Sequence, residues 1–102
     1  MVELLAQAKD ELDEAAIFYE DEREGLGLEL LDEVLAARKR IADFPEMGTP
    51  WVTKGASEVI RSMRVKRFPH RLYYVTEPHL LVLAVAHFRR KPGYWLPRLR
   101  EL

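Results

Sequence analysis

The chain has 102 residues, enough for a single domain (residues 1–102) with one modest core, and its 48% hydrophobic content excludes a disordered protein. It has no cysteine, which excludes disulfides, thiolate metal sites and a cysteine nucleophile. The formal charge of −1 conceals two opposite halves, since residues 1–50 carry 14 acidic and 5 basic side chains and residues 51–102 carry 3 and 11. This asymmetry indicates either an acidic partner for the basic half or neutralisation of acidic helices by basic strands within the fold.

No segment predicts export or membrane insertion. Glu3, Lys9 and Asp10 place charges in the N-terminal segment, which is atypical of a signal peptide. The longest apolar run, residues 80–86, is far shorter than the ~20 residues that a membrane-spanning helix needs. We therefore expect a cytoplasmic protein that does not contact a membrane.

The first half of the chain predicts a short strand and two helices. Residues 2–5 can form the strand. Apolar residues then recur at spacings of three and four over residues 5–19 and again over residues 28–42, which is the period of an amphipathic helix. Gly25 ends the first helix, and the proline after Phe44 ends the second. Helices joined by so short a turn are expected to pack as an antiparallel hairpin.

The second half predicts a loop and three strands. Residues 45–57 hold two prolines and two glycines and are interpreted as a loop. Strands are predicted over residues 58–66, 71–76 and 80–87, and the last is apolar on both faces, as expected for a strand covered on both sides. Residues 94–102 form a short helix or a tail. The predicted fold class is α+β: an N-terminal helical hairpin packed on a small antiparallel sheet, in the order β-α-α-β-β-β.

Ionisable and aromatic side chains follow the last predicted strand. His87 could act as a general acid or base, because the ordinary pKa of histidine lies near neutrality, or it could be a structural histidine satisfied by backbone groups. Tyr94 and Trp95 could stack on nucleic-acid bases, although a fold of Trp95 back over the core is the role we expect. His70 and His79 lie in predicted turns, where we expect them to be solvated. The histidines are scattered, and we expect neither a metal nor a cofactor.

The arginines predict an anion site. Arg61 and Arg71 can lie on adjacent strands, and Arg89 and Arg90 follow the third strand. Four guanidinium groups near one sheet surface would repel one another unless an anion lies among them, and guanidinium geometry suits phosphate and carboxylate alike. Alternatively some of them pair with the acidic helices, and Arg61 is the one that we expect to be structural. The predicted target- or phosphate-binding residues are Arg61, Lys66, Arg71, Arg90 and Trp95.

Four segments of the chain are similar to a known protein family. They are FYEDEREGLGLELLDEV (residues 18–34), DFPEMG (43–48), VIRSMRVKRFPHRLYYV (59–75) and VLAVAHFRRKPGYW (82–95). Together with the predicted order of elements, they resemble the RelE/ParE superfamily of type II toxins over nearly the whole chain. The resemblance implies a growth-inhibiting toxin that a cognate antitoxin neutralises, with a toxin–antitoxin hetero-oligomer as a possible assembly.

The resemblance also implies one of two activities. RelE-like members cut mRNA on the ribosome without a metal. The residues near the positions of their active-site residues are Arg61, Lys66, Arg71, Arg89 and Tyr94. His87 could be the base, and the catalytic set of a nuclease would then be His87, Arg89 and Tyr94. ParE-like members poison DNA gyrase instead. The lysine cluster of RelE-like toxins is thin in this chain, where only Lys54 and Lys66 flank the first meander strand. This difference and the near-zero net charge favour a ParE-like toxin, and an inactive relic that only binds antitoxin is the third alternative.

Overall fold

The computed structural model describes residues 2–51 and 60–102, which form two α helices, a five-stranded sheet and a C-terminal 3-10 helix. The predicted α+β fold class is confirmed. The elements in chain order are β1 (Glu3–Leu4), α1 (Ala6–Glu22), α2 (Leu26–Asp43), β2 (Thr49–Trp51), β3 (Ile60–Val65), β4 (His70–Val75), β5 (Leu81–His87) and the 3-10 helix (Leu96–Glu101).

The sheet has the strand order β1-β5-β4-β3-β2. The predicted meander is present as β3, β4 and β5, which pair antiparallel. The sheet is mixed rather than antiparallel throughout, since β1 pairs parallel with β5. The predicted loop contains the edge strand β2, where Pro50 is tolerated because an edge strand does not need every N–H group for pairing. Lys54 and the predicted start of the first meander strand at residues 58–59 lie outside the described residues.

The turn between the helices depends on two glycines and one carboxylate. Gly25 has φ +87°, the left-handed conformation that glycine adopts without strain. The Glu20 carboxylate accepts hydrogen bonds from the backbone N–H groups of Gly25 and Gly27 at 2.9 and 3.0 Å. A Cβ atom on Gly27 would lie 2.5 Å from the carbonyl oxygen of Ala16, and only glycine lets the two helices approach this closely. Neither described helix combines the length and the apolar character needed to cross a membrane.

The main core lies between the helical hairpin and the inner face of the sheet. Its largest side chain that carries a polar group is Tyr74, which is fully buried. The Tyr74 hydroxyl donates to the carbonyl oxygen of Pro45 at 2.8 Å and accepts from the N–H of Gly48 at 3.0 Å, which fixes the segment before β2. The other buried members include Leu12, Leu30, Val34, Ile41, Val65, Leu72, Val82 and Val85.

A second, smaller core covers the opposite face of the sheet. Its centre is Trp95, which is 1% exposed. The Trp95 ring stacks on Tyr73 at a centroid distance of 4.7 Å and meets the Trp51 ring edge-on at 5.0 Å. Leu83 and Ala84 of β5 pack in the same cluster. The prediction that the last strand is covered on both faces is therefore confirmed, with the helices on one side and the C-terminal segment on the other.

Candidate functional site

An open groove lies on the face of the sheet opposite the helices, between β3, β4 and the segment that follows β5. It encloses about 320 Å³, and four of its lining residues are cations while none is acidic. We call it the basic groove. Its lining residues are Arg64, Arg71, Tyr73, Ala86, His87, Phe88, Arg90, Lys91, Pro92, Tyr94 and Trp95.

Arg64 and Arg71 lie directly opposite each other on β3 and β4. The Nε of Arg71 donates to the Ser62 hydroxyl at 3.0 Å, and the guanidinium carbon of Arg64 lies 5.1 Å from the centroid of the Phe88 ring. Neither arginine forms an ion pair with a carboxylate in residues 2–51 and 60–102. Like charges directly opposite on a sheet repel each other, and an anion bound between them would relieve that repulsion.

Arg90 and Lys91 lie on the far side of the same groove and are both exposed. The guanidinium carbon of Arg90 lies 3.9 Å from the centroid of the Tyr94 ring. This cation–π contact restrains the arginine side chain and leaves the edge of its guanidinium free to donate hydrogen bonds. The groove can therefore clamp an extended anionic ligand from two sides.

A partly buried carboxylate supports the groove from behind. Glu11 of α1 accepts a hydrogen bond from the Tyr94 hydroxyl and pairs with both terminal nitrogens of Arg98, at 2.9 and 3.0 Å. It also accepts the backbone N–H of Val85 at 3.1 Å. Burial, followed by the Glu11 carboxylate, raises the pKa of Tyr94 far above its ordinary value. The Tyr94 hydroxyl therefore stays protonated and hydrogen-bonded to Glu11.

The two histidines at the start of β4 and the end of β5 face each other. The rings of His70 and His87 lie edge to face at 5.0 Å. The Nδ1 atom of His87 accepts the backbone N–H of Arg89 at 3.0 Å, and the neutral His87 ring consequently carries its proton on Nε2. His87 thus presents a donor, and not a free base, to the space around it.

The prediction that His70 is solvated is wrong. His70 is 4% exposed, its Nδ1 has no hydrogen-bond partner, and its ring packs edge-on against Tyr19 at 5.9 Å. The strand β4 begins at His70, which aims the ring inward rather than into the turn. Burial, followed by the charge of His87, lowers the pKa of His70 from its ordinary 6.5 to about 4.

The buried His70 will make the stability of the fold depend on pH. Between pH 6.5 and 4 the unfolded chain binds a proton at this position that the folded chain does not, and stability falls as the pH falls through that window. We expect this group to cost about 2 kcal/mol of stability between pH 7 and pH 4.5. Urea titrations of the wild type and of His70→Phe at pH 7 and pH 4.5 measure it. His79→Phe, at an exposed histidine, should keep the wild-type slope; an unchanged slope in His70→Phe would show that other groups cause it.

Arg61 lies apart from the basic groove. Its cross-strand partner is Tyr74, which places it on the helix-facing side of the sheet edge, where it pairs with the Glu46 carboxylate at 3.0 Å. The expected cluster of four arginines on one surface is therefore not formed. Arg61 was expected to pair with the acidic helices, but its partner Glu46 lies in the segment after α2. Arg67 has that role instead, since it pairs with Glu29 and Glu33.

The other predicted site residues are divided between the groove and its surroundings. His87, Tyr94, Arg71, Arg90 and Trp95 line the groove, although Trp95 is held in the second core and exposes only 1% of its surface. Lys66 and Arg89 are exposed and do not line it.

Sequence reasoning missed Arg64 and Phe88 as groove residues. The alternation of β3 already put Arg64 on the same face as Ser62, but only the strand register shows that it lies opposite Arg71. In the described part of the chain, no three histidine, aspartate or glutamate residues come together as a metal site would require.

A helical hairpin packed on one face of a small mixed sheet is consistent with the fold of a RelE/ParE-type toxin. The model of the family described as "ParE toxin of type II toxin-antitoxin system, parDE" matches residues 2–92, and the chain belongs to that family. The resemblance seen in the sequence is thereby confirmed. The protein is the toxin component of a type II toxin–antitoxin system, and the family implies an antitoxin partner. A comparison with curated proteins found no match.

Proposed function

We propose that this toxin arrests bacterial growth in the cytoplasm by poisoning DNA gyrase, and that the basic groove is the surface that contacts the target. The observation that carries the proposal is the cation set of the groove. Arg64, Arg71, Arg90 and Lys91 converge on one cavity that contains no acidic lining residue. Such a set suits the backbone of DNA or an acidic surface of the enzyme that holds it.

The arrangement of the proton-transferring groups favours gyrase over mRNA cleavage. RNA cleavage by the ribose 2′-hydroxyl needs a base for its proton and an acid for the leaving oxygen. Nδ1 of His87 accepts a backbone N–H, and the Tyr94 hydroxyl donates to Glu11. Arg89 does not line the groove. Both groups that the nuclease alternative would use for proton transfer are thus already engaged within the protein.

Expression in a bacterial host, scored for three readouts, tests the proposal. We expect growth arrest, induction of the DNA-damage response, and covalent gyrase–DNA complexes that are trapped by detergent, with mRNA intact in primer-extension assays. Co-expression of the antitoxin from the neighbouring reading frame should relieve all three effects.

Each other result points to one of the alternatives. Codon-specific mRNA cuts that disappear in His87→Ala, without gyrase–DNA complexes, would replace the proposal with the ribosome-dependent nuclease. Unimpaired growth at confirmed expression of folded protein would show an inactive relic that binds antitoxin only.

A further inference from the structure

A second pocket lies behind the basic groove, between α1 and the adjoining ends of β4 and β5. It encloses about 330 Å³, and we call it the rear pocket. Phe18 and Tyr19 of α1 form one wall, and His70 forms part of the other. The rear pocket and the basic groove have three lining residues in common, namely His87, Arg90 and Tyr94. A ligand in the rear pocket would therefore contact these three side chains from the side opposite the basic groove.

The interior of the rear pocket is aromatic and has little net charge. The Phe18 and Tyr19 rings meet edge-on at 5.3 Å, and Tyr19 meets His70 in the same way at 5.9 Å. Glu11 is neutralised by Arg98, and burial keeps His70 uncharged near neutral pH. Rings that offer both edges and faces bind another ring better than an aliphatic chain of the same size. The pocket is thus suited to a single aromatic side chain.

The mouth of the rear pocket carries an apolar residue and two charges of opposite sign. Phe18 is 58% exposed at this mouth. Glu14 stands on the α1 side and Arg90 on the β5 side, and neither forms an ion pair in residues 2–51 and 60–102. A partner chain that inserted an aromatic ring here could therefore pair a basic residue next to that ring with Glu14 and an acidic one with Arg90.

We propose that the rear pocket receives an aromatic side chain of the antitoxin, flanked by charged residues that pair with Glu14 and Arg90. A second copy of the toxin fits less well, because α1 carries seven acidic residues against one lysine and two such surfaces would repel each other. The inference rests on the antitoxin that the family implies and not on the identity of the toxin's target. An antitoxin bound in this way contacts Arg90 and Tyr94, which also line the basic groove, and it does not need to fill the groove itself.

Two exposed phenylalanines provide a matched test. Phe18 and Phe44 are 58% and 57% exposed, but only Phe18 lines the rear pocket. Binding of the antitoxin from the neighbouring reading frame is measured by calorimetry. We expect Phe18→Ala to weaken it at least about tenfold and Phe44→Ala to change it less than about threefold. Both variants should still arrest growth when expressed alone, since neither residue lines the groove. Equal effects of the two changes, or none from Phe18→Ala, would overturn the proposal.

A free aromatic probe tests the pocket directly. Indole at millimolar concentration should shift the imidazole NMR signals of His70 and His87 in the wild type, and bound antitoxin should abolish the shift. If indole still shifts these signals in the toxin–antitoxin complex, the antitoxin does not occupy the pocket and the proposal is wrong. A toxin that binds antitoxin as expected but leaves gyrase unaffected would refute the proposed function while leaving this inference intact.

Discussion

Trp95→Ala will lower the free energy of unfolding by about 3–5 kcal/mol, the cost of removing a buried tryptophan side chain. Trp95 is 1% exposed and contacts the Tyr73 and Trp51 rings in the second core. Its loss leaves a cavity between the sheet and the C-terminal segment. Because a domain of this size has only about 5–15 kcal/mol of stability, the variant should be close to unfolding at 37 °C.

Urea denaturation followed by circular dichroism measures this effect, and Phe44→Ala provides the control. Phe44 is an aromatic residue of which 57% is exposed, and we expect its truncation to cost less than about 1 kcal/mol. A Trp95→Ala variant as stable as Phe44→Ala would mean that Trp95 does not stabilise the second core. It would return Trp95 to the set of residues that contact the target.

Under the proposed function, Arg71→Ala will reduce the inhibition of gyrase about 10- to 100-fold, the loss expected for one charge-assisted contact of about 1.5–3 kcal/mol. Combined with Arg64→Ala, it should abolish inhibition within the measurable range. Neither change should destabilise the fold greatly, because the two side chains lie directly opposite and repel each other. Activity and stability are therefore expected to change separately, which a merely structural pair would not show.

Supercoiling assays with purified gyrase, together with thermal melts of each variant, make the comparison. Lys39→Ala removes one charge from an exposed position on α2, away from the groove, and should leave inhibition unchanged. Arg71→Lys keeps the positive charge but loses the planar guanidinium group. Its inhibition of gyrase should therefore lie between that of the wild type and that of Arg71→Ala. Full inhibition by the Arg64→Ala, Arg71→Ala double variant would remove the basic groove from the proposed function.

The helices and the meander could be predicted because their signals are local. A spacing of three and four residues places Leu12 of α1 and Val34 and Ile41 of α2 in the core, although Leu28 and Leu31, which begin the stripe predicted for α2, are 66% and 36% exposed. The apolar run of β5 indicates that both of its faces are covered. The edge strand β2 could not be predicted, because Pro50 and its glycine neighbours are equally typical of a loop. Its pairing depends on β3, which follows later in the chain.

The site was only partly predictable because it depends on register and on distant contacts. Arg71 and Arg90 could be predicted as anion-binding residues because arginines are concentrated near the strand ends. That Arg64 lies opposite Arg71 is set by the register between β3 and β4. The supporting pair of Glu11 and Arg98 is 87 residues apart in sequence, and nothing local in either segment indicates it. The burial of His70 has the same origin, since its ring is covered by Tyr19 from α1.

The contacts between the first and last elements have a consequence for how the toxin is made. The strand β1 pairs with β5, Glu11 pairs with Arg98, and Gln7 bonds Glu101 across 94 residues of sequence. Closing such long loops costs entropy before any contact repays it, and we expect folding in milliseconds to seconds rather than microseconds. Arg90 and Lys91 lie between β5 and these contacts and reach their places only when the two ends of the domain have met. If the basic groove contacts the target as proposed, a newly synthesised chain cannot act until that closure, and slowing the closure would delay toxicity without any inhibitor of the surface.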